Sequence, residues 1–187
     1  EGSLEKLDTD YLDILYFHRF DDDVDIEHAL RTVDDLISEG KVHYVGISSC
    51  DAWKLTKGLW KADVNNYEAF TVTQPQYSAS YRDPVAEYLD LAVCPYSPLH
   101  GGFLTGKYER VGDGEIEAPD GSRGDIDEHF EDWYLSDRAW DVLDEIREVA
   151  EEVDATPAQV SLRWLMDHDR FTCVPIVGAR TPDQLHE

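Results

Sequence analysis

Tyr11-Leu12-Asp13-Ile14-Leu15-Tyr16-Phe17-His18-Arg19 is a run of mostly aliphatic and aromatic residues that stops at a histidine, an arginine and a block of aspartates. A near-continuous apolar run bounded by polar residues is the pattern of a strand buried on both faces. Such strands belong to parallel α/β sheets and barrels, whose chemistry sits at the carboxyl ends of the strands. His18 occupies an end of this kind. Its plainer reading is a histidine that closes the strand and bonds to backbone.

Outward from this strand the sequence alternates. Ser3 to Asp8 reads as the end of a helix capped by Ser3, with Leu4 and Leu7 on its apolar face. Asp25 caps an amphipathic helix through Ile26, Ala29, Leu30, Val33, Leu36 and Ile37, which Gly40 closes. Lys41 to Ile47 reads as a second strand ending in Ser48-Ser49, and Asp51 caps a helix to about Lys61. Phe70 to Gln76 is a third strand, Asp83-Pro84 opens a short helical piece, and Leu91 to Pro95 is a fourth strand. A loop rich in glycine and acids covers about 109–129. Two helices follow, one with Trp140, Leu143, Ile146, Val149 and Ala150 on one side, the other capped by Thr156-Pro157 and ending near His168. Cys173 to Val177 reads as a fifth strand, and Thr181-Pro182 opens a last helix. Strands alternating with helices over short connections imply a parallel sheet.

Composition narrows the class. At 187 residues and 42% hydrophobic content the sequence supports one sizeable core, read as a single domain over 1–187. No apolar run approaches the roughly 20 residues a membrane span needs. Cys50, Cys94 and Cys173 are odd in number and far apart, which fits a reducing cytoplasm better than a disulfide framework. The net charge of -25 comes from 41 acidic against 16 basic residues, spread over helix faces rather than gathered in a tail. That surface repels nucleic acid and anionic membrane. Adaptation to a salt-rich cytoplasm is the economical explanation, and the low share of lysine, 6 of 16 basic residues, agrees with it.

Metal chemistry is not expected. Asp21, Asp23 and Asp25 have the spacing that opens a calcium loop, but Ile26 stands where the turn needs glycine and Thr32 where it needs a carboxylate. The histidines show no zinc spacing, and there is no nucleophile elbow, P-loop or G-x-G-x-x-G. What remains is a set of polar groups at successive strand ends: His18, Ser48-Ser49, Gln74, Tyr96-Ser97 and Gly178-Ala179-Arg180. Together they offer hydrogen bonds, an aromatic face and, at Gly101-Gly102 and the helix after Arg180, backbone for an anion. The alternative is that Tyr96 is core and the glycines a turn.

Five motifs carry a resemblance. Asp10-Tyr11-Leu12-Asp13…His18, Gly40-Lys41-Val42…Val45-Gly46-Ile47-Ser48, Gln74-Pro75…Tyr77, Pro95-Tyr96-Ser97-Pro98-Leu99…Gly101-Gly102…Leu104-Thr105-Gly106-Lys107-Tyr108 and Val177-Gly178-Ala179-Arg180-Thr181-Pro182…Gln184 resemble, in order, the aldo-keto reductases. The resemblance implies a TIM (β/α)8 barrel that binds NADPH and reduces an aldehyde or ketone. This sequence then supplies the fourth to eighth strands of a partial barrel. In that family a tyrosine, assisted by a lysine–aspartate pair, protonates the carbonyl oxygen while a histidine orients the carbonyl. His18 matches that histidine. Ser48 and Gln74 match contacts to the nicotinamide carboxamide, and Ser49 stands where the family usually has asparagine. Tyr96 matches the residue stacked on the nicotinamide. Ser97, Leu99, Gly101 and Lys107 fall in the segment lining the pyrophosphate; Gly178, Arg180, Gln184 and Glu187 fall where the adenosine and 2′-phosphate bind. Arg180 favours NADP(H) over NAD, because a guanidinium pairs with the extra phosphate.

The resemblance also marks departures. The family's aspartate, tyrosine and lysine lie on the first three strands, and no residue here replaces them. Asp83 to Asp90 leaves room for about two helical turns, roughly 12 Å, against a strand length of about 17–20 Å to be crossed. Relatives carry more residues there. Five of eight strands expose two edges and open an apolar lumen. The chain is therefore expected to be marginal or aggregation-prone alone, or to need the missing N-terminal strands or another chain. The expected ligand is a small-molecule carbonyl substrate. The rival readings are a non-catalytic NADP-binding or interaction module and an inactive truncated fragment.

Overall fold

The computed structural model describes residues 2–20, 23–82, 90–112 and 116–186. The expected helical opening at Asp83-Pro84, Asp21 of the calcium-like spacing, and Glu187 lie outside them.

The described residues fall into two compact units. The first draws on Glu1–Pro75, Pro84–Cys94 and Arg170–Thr172. Its helices are α1 (Gly2–Leu7), α2 (Ile26–Ser38) and α3 (Ala52–Asn65), and its strands are β1 (Leu12–Phe17), β2 (Val42–Ser48), β3 (Phe70–Gln74) and β4 (Ala92–Val93). The strands form one parallel sheet in the order β1-β2-β3-β4. Asp25 accepts from the Glu27 amide at 3.0 Å and starts α2 as its sequence promised. Asp51 precedes α3 without a side-chain cap bond, and α3 runs on to Asn65, past the expected end at Lys61. Ser3 lies inside α1 rather than capping it.

One face of this sheet carries Leu15, Phe17, Val45, Ile47 and Phe70, packed with Ile26, Leu30 and Val33 of α2 and Leu55 and Ala62 of α3. The other face is open only at its start, since Val72 and Ser48 farther along it are buried. Ile14 and Tyr44, paired across β1 and β2, are 40% and 56% exposed. This corrects the reading of β1 as buried on both faces: it is the edge strand of the sheet, and an apolar run serves an edge equally well.

The second unit draws on Gln76–Asp83, Pro95–Asp169 and Cys173–Glu187. Its elements are a 3-10 turn at His100–Thr105, a hairpin of β5 (Glu109–Arg110) and β6 (Ile116–Glu117), and helices α4 (Arg123–Ile126), α5 (Phe130–Tyr134), α6 (Asp137–Val153), α7 (Pro157–Met166) and α8 (Pro182–His186). The segment read as a loop at 109–129 therefore contains a short hairpin and the helix α4 between its turns. Its Ile116 and Ala118 pack against a core of Phe103, Leu104, Tyr108, Phe130, Tyr134, Trp140, Leu143 and Ile146, in which Phe103 and Trp140 meet edge to face at 4.7 Å. Ser136 caps α6, and Thr156 with Gln159 forms a capping box on α7 with Pro157 at its first turn.

Two expected strands are corrected. Leu91–Pro95 forms only the two residues of β4, and Cys173–Val177 forms no strand. Val174, Ile176 and Val177 are 44–55% exposed, so β-branched composition finds no sheet to bury it. The segment keeps a sheet-like bond from the Ile176 amide to the Pro95 carbonyl at 3.0 Å.

Candidate functional site

In the first unit the ends of β2 and β3 meet. Ser48 pairs in register with Gln74, and its hydroxyl donates to the Gln74 carbonyl at 2.8 Å. The Ser49 amide donates to the same carbonyl at 3.3 Å, and the two serine hydroxyls are 3.4 Å apart. Ser48 is buried, so this bond satisfies its donor. Ser49 is exposed with φ 46°, a left-handed conformation in which asparagine is several-fold enriched. His18 is exposed, one residue past the Phe17–Ile47 pair and so abreast of Ser48.

Tyr16 precedes His18 by two residues and packs over Gly46, where a Cβ would lie 2.5 Å from its ring. Burial, followed by the neighbouring Cys94, pushes the Tyr16 phenol above its ordinary value, against a smaller opposing pull from the Gln74 side chain. This tyrosine is a poor proton donor. Burial and the Asp51 carboxylate likewise push the Cys50 thiol up to about 11, which leaves it protonated and unreactive near neutrality.

In the second unit the stretch after Tyr96 makes a turn with several left-handed residues. Tyr96 bridges Gln76 in parallel and is half-buried. Ser97 and His100 have φ 51°, Gly101 has 69° and Gly102 has 93°. The His100 amide donates to Ser97 and the Gly102 amide to Leu99, at 2.8 and 2.9 Å. Gly101 is forced by packing as well as by φ, since a Cβ there would lie 2.8 Å from the Tyr134 ring. At Gly102 a Cβ would come within 3.5 Å of the Lys107 ammonium, so a side chain would intrude beneath the charge. Lys107 is exposed, lies 5.3 Å from the Tyr108 ring centroid, and among the described residues no carboxylate pairs with it. A glycine backbone beneath an unpaired ammonium fits a phosphate group.

Arg147 of α6 braces the end of this turn. Its Nη2 donates to the carbonyls of Gly106 and Tyr108, both at 3.1 Å, and to Glu109 Oε1 at 2.9 Å. Further along, the Arg180 amide donates to Gln184 Oε1 at 2.8 Å, and the Gln184 amide to Thr181 Oγ1 at 3.3 Å. The Arg180 guanidinium donates to the Gly121 carbonyl. Beside Gly121, the buried Ser122 hydroxyl has no partner among the described residues. Gly178 is exposed, with nothing within 4 Å of a Cβ.

The structure thus groups Ser48, Ser49 and Gln74, with His18 alongside, and separately Ser97, Leu99, Gly101 and Lys107. His100, Tyr134 and Arg147 escaped the sequence reading. His100 had a signal, a large titratable residue directly before two glycines; Tyr134 and Arg147 had none.

A profile of the aldo/keto reductase family matches residues 1–187. A putative voltage-gated potassium channel subunit beta of Schizosaccharomyces pombe is 31% identical over 197 residues, covering 100% of this chain and 55% of that protein. Norsolorinic acid reductase B of Aspergillus parasiticus is 33% identical, covering 99% of this chain and 48% of that protein. The crystal structure of the thermostable aldo-keto reductase Tm1743 with the inhibitor epalrestat superposes with a TM-score of 0.70 at 22% identity, covering 100% of this chain and 56% of that one. The chain spans about half the length of the curated relatives it matches. Its four-stranded parallel sheet is consistent with part of their TIM barrel, and the chain belongs to the aldo/keto reductase family.

Proposed function

We propose that this chain carries the cofactor-binding part of an NADP(H)-dependent reductase of aldehydes or ketones. The observation that carries the reading is the glycine turn beneath Lys107. In a chain of net charge -25, an ammonium that no carboxylate among the described residues pairs with, over a side-chain-free backbone, suits an anion.

When bound, NADPH supplies the hydride to the carbonyl carbon. The residues of this chain bind and orient. Lys107 and the Gly101–Gly102 backbone take the diphosphate. The Ser48 hydroxyl has committed its proton to Gln74, so it faces the carboxamide only as an acceptor, which suits the carboxamide NH2. Tyr96 stacks on the nicotinamide ring, His18 orients the substrate carbonyl, and Arg180 pairs with the 2′-phosphate. By the resemblance the proton donor belongs to the family's first three strands, which this chain does not supply, and Tyr16, raised by burial, is not suited to replace it. The chain alone therefore binds cofactor without turnover.

The likeness to a putative potassium channel subunit beta favours a second reading, a regulatory module that binds NADP(H) and catalyses nothing even when complete. Turnover by the complete protein separates the two. Fluorescence titrations with NADPH and NADH test the shared claim. Lys107→Ala should weaken both coenzymes about equally, whereas Arg180→Ala should weaken NADPH alone. Unchanged affinity in Lys107→Ala would remove the anion site on which the reading stands.

A further inference from the structure

His100 is 5% exposed, adopts φ 51°, and stands directly before the two glycines of the turn. Its Nδ1 lies 3.4 Å from the Ser78 hydroxyl, which also accepts from the Tyr81 amide at 3.2 Å. Its ring also hydrogen-bonds the backbone of Tyr134, at the last residue of α5, where a carbonyl has no helical partner. The rings of Tyr134 and Phe103 meet it edge to face at 5.1 and 6.4 Å. Tyr134 in turn presses on Gly101, closing the circuit.

These contacts fix the proton. A carbonyl cannot donate, so the nitrogen facing Tyr134 must carry the hydrogen. The other nitrogen of a neutral ring must accept, and the Ser78 hydroxyl, which also lies 3.2 Å from the Ser80 hydroxyl, is the donor within reach. A left-handed non-glycine residue is strained, so the side chain is held there against a backbone preference.

We propose that His100 is a positioning residue: as the neutral Nε2–H tautomer it ties the Gly101–Gly102 turn to the Ser78–Tyr81 turn and to the end of α5, and so sets the affinity of the diphosphate site. This rests on the functional reading above for its ligand, but the tie itself stands on the Ser78 contact and on the packing of the His100 and Gly101 positions against Tyr134. It recognises no ligand directly; it holds the backbone that does.

Nitrogen-15 NMR of the whole chain reads the tautomer, and amide exchange at Gly101 and Gly102 reads the tie. The expected spectrum has His100 protonated on Nε2 alone. In His100→Ala the two glycine amides should exchange at least tenfold faster and NADPH affinity should fall about tenfold, the loss of one to two hydrogen bonds. His100→Gln, which can still donate to the Tyr134 carbonyl, should recover part of both, and Ser78→Ala should lose part of both. A ring protonated on Nδ1, or glycine exchange unchanged in a folded His100→Ala, overturns the proposal. If the unaltered chain fails to bind NADPH, the cofactor reading falls, and tautomer and exchange still decide the tie.

Discussion

Placing a methyl group at Gly101 tests how the glycine turn is built. Gly101→Ala adds a Cβ 2.8 Å from three atoms of the Tyr134 ring, at a backbone φ of 69°. The left-handed conformation costs an alanine about 1–2 kcal/mol. Overpacking against a buried ring costs typically about 1–3 kcal/mol more, because Tyr134 is held among Phe130, His100 and Gly101. The sum is about 3 kcal/mol, or roughly 6–12 °C in melting temperature for a chain of this size. Gly102→Ala is the control. Its φ of 93° carries the backbone cost, but its Cβ would meet only the flexible end of Lys107 at 3.5 Å. It should lose about 1–2 kcal/mol, roughly 2–8 °C. Differential scanning calorimetry of both variants gives the packing contribution as their difference. Equal losses, or no loss at Gly101, would refute the contact with Tyr134.

Three further outcomes follow from the same geometry. Arg147→Ala removes the Nη2 bonds to the Gly106 and Tyr108 carbonyls, so it should cost about 1.5–3 kcal/mol, seen as a melting temperature lower by roughly 3–12 °C. Ser49→Asn places an αL-tolerant residue at φ 46° and should raise the melting temperature slightly, on the order of 1–2 °C for about 0.5 kcal/mol; a fall would show that the left-handed backbone is not strained. Burial holds the His100 imidazole below its ordinary 6.5, so the unfolded chain takes up this proton first as pH falls. Its contribution is full above about pH 6.5 and is lost below it, so the acid-side fall in melting temperature should be steeper in the unaltered chain than in His100→Gln.

The acidic surface carries a separate expectation. Adaptation to salt remains our proposal, and it requires the melting temperature to rise between low and molar KCl as self-repulsion is screened. No rise would end it.

Much of the fold was legible because local chemistry and tertiary packing agree. Asp25 and Thr156-Pro157 cap helices as read, and Trp140, Leu143, Ile146 and Ala150 of α6 are buried as their spacing implied, although Val149 is exposed. The misreadings share a cause. The β-branched run at 173–177 and the apolar run of β1 have strand composition, but composition does not say whether a neighbour exists to pair with or to cover a face. The 109–129 stretch reads as loop from its glycines and acids. Its order comes from Phe130 and Tyr134 just beyond it, which pack on Tyr108 and Gly101 at long range. At the candidate site, Ser48, Gln74 and Lys107 were legible through motifs. His100 was passed over between Leu99 and Gly101 because its role depends on Ser78 and Tyr134, which are remote in sequence.

The central claim is that this chain holds the cofactor groups of the family and leaves the proton donor elsewhere. An NADPH fluorescence titration of the purified chain in molar KCl, with a generic aldehyde at saturation, tests both halves at once. Saturable binding with no NADPH consumption is the expected result. Turnover would contradict the missing donor, and absence of binding would contradict the cofactor site.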